Sequence, residues 1–302
     1  MEAILGFIAR AEGPDYGLRV AAYEFRLEPF ARALKAAKDR GVDVRIIYDG
    51  CPNPPDPKTG KAFPRDENRA TAQRMGIKSL CMERVTRHDV KTPPISHHKF
   101  IVLTKGGKAA AVLTGSANFS QGGVYGQSNV VHAAEVKRIA AKYSHCWSLL
   151  EADTEHAVLK QELAKLNDPH DALPKVGTTC LFSPQPSLAA LNWYAKLASE
   201  EQGALFMTFA FRMNDLFKNA YRTGAAPLRY ALMDKLLGPG VRKEKKQAAL
   251  DGMLALRKMV ENRFAVGNRI TTNAFDRWIK EKPLGSTPMC NSSTRSSCCW
   301  TR

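Results

Sequence analysis

The 302-residue sequence has no apolar run long enough to cross a membrane and no paired cysteine spacing. A membrane-spanning helix needs about 20 consecutive apolar residues, so an integral membrane protein is not expected. The seven cysteines are odd in number and contain no C-x-x-C pair, which argues against a disulfide framework and a zinc site. Acidic residues are also scarce, 29 against 45 basic ones, and the net charge is +16. This charge favours anionic partners, namely nucleic acid, an anionic lipid surface or a phosphorylated substrate.

The first ten residues predict an amphipathic helix. Glu2 is acidic and Arg10 interrupts the apolar run, a pattern that differs from a signal peptide. We therefore expect a cytoplasmic location by default, although a clipped N-terminus would hide an export signal. The 44% hydrophobic fraction supports a real core, in one large or two medium domains.

The richest chemical information lies in two short segments, His97-x-Lys99 and Gly115-Ser116-x-Asn118. An apolar run follows the first segment and predicts a buried strand, and a second short strand leads into the other segment. Because side chains alternate along a strand, His97 and Lys99 are expected on one face, with His98 on the other. An imidazole, an ammonium, a hydroxyl and an amide then converge, a set that suits a phosphodiester.

These two segments, in this order and with strand-like flanks, resemble the H-x-K and G-S-x-N signature of the phospholipase D superfamily. The family pattern is H-x-K-x4-D, and Thr104 stands here where the aspartate is expected. We expect Thr104 beyond the strand, so that its change affects local support more than chemistry.

The resemblance implies a two-step displacement at phosphorus, with His97 as the nucleophile and a phosphohistidine intermediate. Lys99 and Asn118 would hold the non-bridging oxygens, and Ser116 would add a hydroxyl donor. A second histidine, from another copy of the motif, would protonate the leaving oxygen. No cofactor and no metal are implied. Glu24 could orient a catalytic histidine, but a structural carboxylate is the favoured interpretation.

The order of predicted elements indicates an α/β fold built from mixed sheets flanked by helices. Members of the resembled family have two similar lobes, and apolar strands that end in Phe-Arg recur here in both halves of the chain. We predict a first lobe over 1–166, a linker over 167–177 and a partial second lobe over 178–284. Within the second lobe, the segments Leu228 to Leu237 and Ala248 to Val260 are predicted to be helical.

The tail, 285–302, has no periodicity and holds three of the seven cysteines. It also lies where a two-lobed protein would need its second H-x-K motif. Reading the codons in a shifted frame forces Val, Leu, Leu and Asp at four positions, and permitted bases complete an H-T-K-F-M-L-L-D string. We therefore interpret the tail as frame-shifted, with an ordinary disordered Ser- and Cys-rich tail as the alternative.

The predicted function is hydrolysis of a phosphodiester, with a phospholipid head group favoured as the substrate. The alternatives are a nuclease of the same superfamily and a non-catalytic protein that binds phosphate or nucleic acid. An anionic membrane surface is a further expected partner. Because the encoded chain shows one motif, either a homodimer completes the site or the site is incomplete. The second lobe favours the incomplete site, and weak or absent activity is expected.

Overall fold

The computed structural model describes residues 1–51, 60, 62–85, 95–127, 129–168, 177–209, 212–233, 235–237, 241–267 and 298–301. The chain divides into two compact units. The first contains Met1–Asp168, Thr178–Pro186 and Asn273–Arg302, and the second contains Pro169–Gly177 and Ser187–Thr272. The predicted domain boundaries differ from this division, because the segment that follows the predicted linker packs with the first unit.

The first unit is built on a six-stranded mixed sheet with the strand order β3-β2-β1-β4-β5-β6. Strands β1, β2 and β3 are parallel, whereas β4, β5 and β6 continue the sheet in antiparallel pairs. The strands are β1 (Tyr16–Ala22), β2 (Asp43–Asp49), β3 (Cys81–Arg84), β4 (Lys99–Lys105), β5 (Lys108–Gly115) and β6 (Val131–Ala134). The mixed α/β class predicted from the sequence is confirmed.

Helices cover both faces of this sheet. The helices of the first unit are α1 (Glu2–Ala9), α2 (Glu28–Asp39), α3 (Arg65–Arg74), α4 (Lys137–Glu151) and α5 (His156–Leu166). Apolar residues of α1, α2 and α3 pack on one face, and those of α4 and α5 pack on the other. Strand β4 lies inside the sheet, so six of its seven residues are buried and its N-terminal end has a rigid base.

Two short strands, β7 (Thr178–Leu181) and β11 (Cys298–Thr301), form an antiparallel pair in the first unit. The second unit has a parallel sheet of β8 (Ala204–Phe209), β9 (Leu228–Met233) and β10 (Asn262–Val266), in the order β10-β9-β8. Its helices are α6 (Ala189–Glu200), α7 (Asp215–Thr223) and α8 (Lys246–Lys258). One shared apolar cluster joins these helices to β8 and β9. Whether this unit repeats the first stays a prediction.

Three local predictions are wrong. Leu228 to Leu237 was expected to be helical, but Leu228–Met233 is strand β9, where Arg229, Ala231 and Met233 alternate inward. A short apolar run is compatible with both the helical and the strand periodicity, and the pairing with β8 and β10 selects the strand. Thr104 lies inside β4, opposite Gly17 of β1, not beyond the strand. The strand also begins at Lys99 instead of His97, because β1 ends at Ala22, the partner of Lys99.

Other expectations lie largely outside the described residues. These are most of the linker over 167–177 and most of the tail over 285–302. No helix in the described part of the chain has the length and apolar character that crossing a bilayer requires.

Candidate functional site

The H-x-K segment lies at the N-terminal end of β4, next to the C-terminal end of β1. Lys99, the first residue of β4, pairs in register with Ala22, and His97 lies two residues before it. The lysine side chain is buried, with 4% of the residue exposed, and its Nζ donates a hydrogen bond to the backbone carbonyl of His97 at 3.1 Å. The ammonium group is therefore held close to the histidine instead of extending into solvent.

An aromatic ring packs against both residues of this segment. The Tyr23 ring meets the His97 imidazole in an edge arrangement with the centroids 4.7 Å apart. The Lys99 Nζ lies 5.4 Å from the centroid of the same ring, within the range of a cation–π interaction. Tyr23 itself is buried. The path of the chain after β1 thus places the Tyr23 ring against one side of His97.

The G-S-x-N segment reaches the same edge of the sheet. Strand β5 runs antiparallel to β4, and Phe100 pairs with Thr114. The residues before Phe100 and those after Thr114 therefore emerge at one end of the strand pair, which brings His97 and Lys99 to the same end as Gly115 and the residues that follow it.

Ser116 is exposed and is joined to Val130 by two hydrogen bonds. Its backbone N–H donates to the Val130 carbonyl at 2.9 Å, and its Oγ accepts from the Val130 N–H at 3.0 Å. The hydroxyl proton remains available to donate, as the predicted role requires. Gly115 makes this close approach feasible, because a Cβ at that position would collide with the Val130 carbonyl oxygen.

Asn118 is fully buried under a glycine-rich turn. A Cβ on Gly123 would collide with the Asn118 carbonyl oxygen and lie 2.9 Å from its backbone nitrogen. The turn that contains Gly123 is a short π-helical segment, Gly122–Gly126, and Asn129 donates from Nδ2 to the Gly123 carbonyl at 2.8 Å. Asn118 is thus enclosed by backbone that tolerates almost no added atoms.

Electrostatics keep His97 neutral at physiological pH. Burial is the main cause that lowers the pKa of His97 to about 3, and the positive charge of Lys99 and the neighbouring His98 lower it further. A neutral imidazole has a lone pair available for attack at phosphorus, but it has no spare proton for a leaving group.

His98 occupies a different environment, packed edge-on against Phe100 at 6.1 Å between centroids. Burial lowers the pKa of His98 to about 3 as well, with Arg84 and Lys99 as smaller causes. Its buried Nδ1 has no hydrogen-bond partner among the described residues. We therefore assign His98 no direct contact with substrate.

Two supporting residues, Tyr23 and Asn68, were not identified from the sequence. Asn68 of α3 is fully buried, accepts from the Phe25 N–H at 3.1 Å and donates to the Tyr23 carbonyl at 2.9 Å. An asparagine in a polar helix carries no periodic signal that would mark this role. Among the described residues, no group of three or more His, Cys, Asp or Glu side chains is arranged to hold a metal ion.

Comparison with known proteins matches residues 4–147 to the family model described as "Cardiolipin synthase, PLD-like domain". No curated protein sequence matches the chain significantly. Nuc from Salmonella typhimurium, described as a phospholipase D family member, is 27% identical over 50% of this chain and 86% of its own, with a TM-score of 0.35. NucT from Helicobacter pylori is 18% identical over 50% of this chain and 87% of its own, with a TM-score of 0.39.

The polyphosphate kinase from Porphyromonas gingivalis is similar over a longer stretch. The alignment covers 87% of this chain and 38% of the kinase, with 13% identity and a TM-score of 0.51, which shows a likeness of fold. The family match, by contrast, includes His97, Lys99, Ser116 and Asn118. Residues 4–147, which include these four residues, therefore form a phospholipase D-like domain.

Proposed function

We propose that this protein is a phosphodiesterase in which His97 is the nucleophile. The observation that carries the proposal is the meeting of the H-x-K and G-S-x-N segments at one end of the β4–β5 pair. A neutral imidazole, an ammonium group and hydroxyl and amide donors suit a substrate that carries negative charge on its non-bridging oxygens.

In the proposed first step, a ring nitrogen of His97 attacks phosphorus. A nitrogen–phosphorus bond forms while the bond from phosphorus to the leaving oxygen breaks, and that oxygen departs with the electron pair. Lys99, Asn118 and Ser116 meet the charge on the non-bridging oxygens. In the second step, water attacks the phosphohistidine and releases His97. An alkoxide leaving group needs a proton, which neutral His97 cannot supply.

The proton donor would be the histidine of a second H-x-K motif. The encoded chain contains one such motif, and the position expected for the second falls in the tail over 285–302. We propose that this tail is frame-shifted, and that the chain as encoded forms the phosphohistidine but turns over slowly. The alternative is a homodimer in which each copy supplies one histidine.

A substrate with a good leaving group tests the first step without the second histidine. Nitrophenolate leaves as an anion without protonation, so bis(p-nitrophenyl) phosphate is expected to give one nitrophenolate per chain in a burst. Mass spectrometry of alkali-stable, acid-labile adducts would locate the phosphoryl group on His97. His97→Asn should abolish the burst and the adduct, whereas His145→Asn, at an exposed position of α4, should retain both. A burst that survives His97→Asn, or the absence of any burst and adduct, would refute the proposal.

A phospholipid head group is the proposed physiological substrate, bound at an anionic membrane surface. The net charge of +16 supports an anionic substrate and equally favours nucleic acid, which is the second candidate. Vesicles of anionic phospholipid and single-stranded DNA should be compared as sources of the His97 adduct in the protein with its reading frame restored, because the encoded chain cannot protonate their alkoxide leaving groups. An adduct from DNA alone would favour the nuclease, and binding of either ligand without any adduct would favour a non-catalytic protein.

A further inference from the structure

The three residues that follow β1, Tyr23, Glu24 and Phe25, are all buried although two of them are polar. They continue the chain from Ala22, which is paired with Lys99. This tripeptide therefore leaves the sheet at the point where the H-x-K segment enters it. The same edge receives the G-S-x-N segment from β5.

Tyr23 contacts the H-x-K segment. Its ring packs edge-on against the His97 imidazole at 4.7 Å and lies 5.4 Å from the Lys99 Nζ. A second aromatic ring, that of Phe63, packs edge-on against Tyr23 at 6.3 Å. An edge contact limits rotation of the imidazole and excludes water from one side of it.

Glu24 contacts the chain that continues from the G-S-x-N segment. Its backbone carbonyl accepts from the Phe119 N–H at 3.2 Å, and its Oε1 accepts from the Ser120 hydroxyl at 2.6 Å. The Ser120 Oγ in turn accepts from the Gly123 N–H at 3.2 Å. This chain of bonds ties Glu24 to the residues that lead into the turn around Asn118 and to Gly123 within that turn.

Asn68 and Arg26 hold the tripeptide itself in place. The Asn68 side chain bonds to backbone groups of Tyr23 and Phe25, on either side of Glu24. The Arg26 Nε lies 3.2 Å from the second carboxylate oxygen of Glu24. A buried carboxylate is costly unless it is paired and hydrogen-bonded, and here both conditions are met.

We propose that Tyr23 and Glu24 are positioning residues that hold the two halves of the site in register, Tyr23 through the His97–Lys99 segment and Glu24 through the turn around Asn118. Neither residue is assigned a contact with the substrate, and each acts through the residues that it holds in place. The catalytic consequence rests on the proposed function, whereas the positioning itself is a property of the free protein and can be measured there.

A merely structural role would be met by any buried side chain of similar size. Leucine would fill the space of either residue, but it would replace neither the flat ring edge against His97 nor the acceptor for the Ser120 hydroxyl. The conservative changes Tyr23→Phe and Glu24→Gln retain these two features. Comparing Tyr23→Leu with Tyr23→Phe, and Glu24→Leu with Glu24→Gln, therefore separates positioning from packing.

Two measurements on the free protein test the proposal. Nitrogen-15 NMR of the histidine rings should show that Tyr23→Leu raises the pKa of His97 by at least about one unit, because water reaches the ring, while Tyr23→Phe leaves it unchanged. Amide hydrogen exchange should show that Glu24→Leu speeds exchange of the Gly123 N–H by about tenfold or more, while Glu24→Gln does not. Thermal unfolding of each variant confirms that it is folded at the measurement temperature.

The nitrophenolate burst then reports the catalytic consequence. Tyr23→Leu and Glu24→Leu should each slow the burst by about tenfold or more at saturating substrate, with little change in the half-saturating concentration, and the conservative variants should restore it. An unchanged His97 titration together with unchanged Gly123 exchange in the leucine variants would overturn the inference. A wild-type protein that gives no burst but shows both NMR effects would refute the proposed function and leave the positioning intact. If a leucine variant fails to fold, Ser120→Ala provides the same test of Gly123 exchange.

Discussion

The Lys99 ammonium donates a hydrogen bond to the carbonyl oxygen of His97, two residues earlier in the chain. Because Lys99 is the first residue of β4 and is buried, its side chain turns back towards the histidine and Tyr23. One lysine thereby has two effects. It helps to keep the adjacent imidazole neutral, and in the proposed reaction it supplies a fixed positive charge for a phosphate oxygen.

Removing the Lys99 charge should have a small effect on the pKa of His97 and a large effect on the rate of the nitrophenolate burst. Burial is the larger cause of the low pKa of His97, so Lys99→Met should raise that pKa only in part, to a value still below 6.5. The nitrophenolate burst should nevertheless slow by about 100-fold, because the ammonium that meets the non-bridging oxygens is lost. Histidine NMR and stopped-flow absorbance measure the two effects. Lys108→Met, at an exposed position of β5, is the matched control, and an equal loss in both variants would contradict the assignment.

Lowering the pH should destabilise the protein at pH values that are still above those at which carboxylates titrate. The pKa values of His97 and His98 are lowered to about 3 in the folded state, whereas an unfolded histidine titrates near 6.5. Between these values the unfolded chain binds more protons, so the free energy of unfolding decreases as the pH falls. From pH 7 to pH 5 the expected loss is about 2 kcal/mol for each histidine.

Urea unfolding at several pH values measures this dependence. The double variant His97→Gln/His98→Gln removes both titrating groups, and its free energy of unfolding should vary much less between pH 7 and pH 5. A double variant with the same pH dependence as the wild type would assign the effect to other groups.

Gly123 should tolerate no side chain, unlike a glycine in open space. The Cβ of Gly123→Ala would meet the Asn118 backbone, which is not the end of a flexible side chain, so the turn must move. We expect a loss of about 2 kcal/mol in the free energy of unfolding and a slower burst, because overpacking displaces Asn118. Gly6→Ala is the control, since nothing lies within 4 Å of a Cβ there and alanine favours the helix α1 by about 1 kcal/mol. Equal stability of the two variants would show that the turn adapts.

The sequence predicts those parts of the site whose interacting residues are close to one another along the chain. His97 and Lys99, and likewise Gly115, Ser116 and Asn118, are close in sequence, and their flanking strands are marked by apolar runs. The partners of Asn68 are 43 and 45 residues away, and no local pattern records them. Burial is likewise a property of the folded chain, so the low pKa of His97 could not be inferred from its neighbours alone.

The same limit explains the wrong secondary structure at Leu228–Met233. Its apolar residues fit a helical stripe as well as an alternating strand, and the pairing with β8 and β10 that selects the strand is non-local. Thr104 was misplaced for a related reason. The end of β4 is set by its partner β1, which extends to Tyr16 opposite Lys105, and the apolar run ends earlier.

The final prediction concerns the tail over 285–302. If it is frame-shifted, the coding DNA read in the shifted frame will spell the H-T-K string, and restoring that frame will supply a second histidine. The restored protein should convert the single nitrophenolate burst into continuous turnover, because the second histidine can activate water against the phosphohistidine. It should also cleave diesters with alkoxide leaving groups, which the encoded chain cannot protonate. Replacing the new histidine with asparagine should return the protein to a single burst. Coding DNA without the H-T-K string in any frame would end the frame-shift hypothesis and leave the homodimer as the way to complete the site.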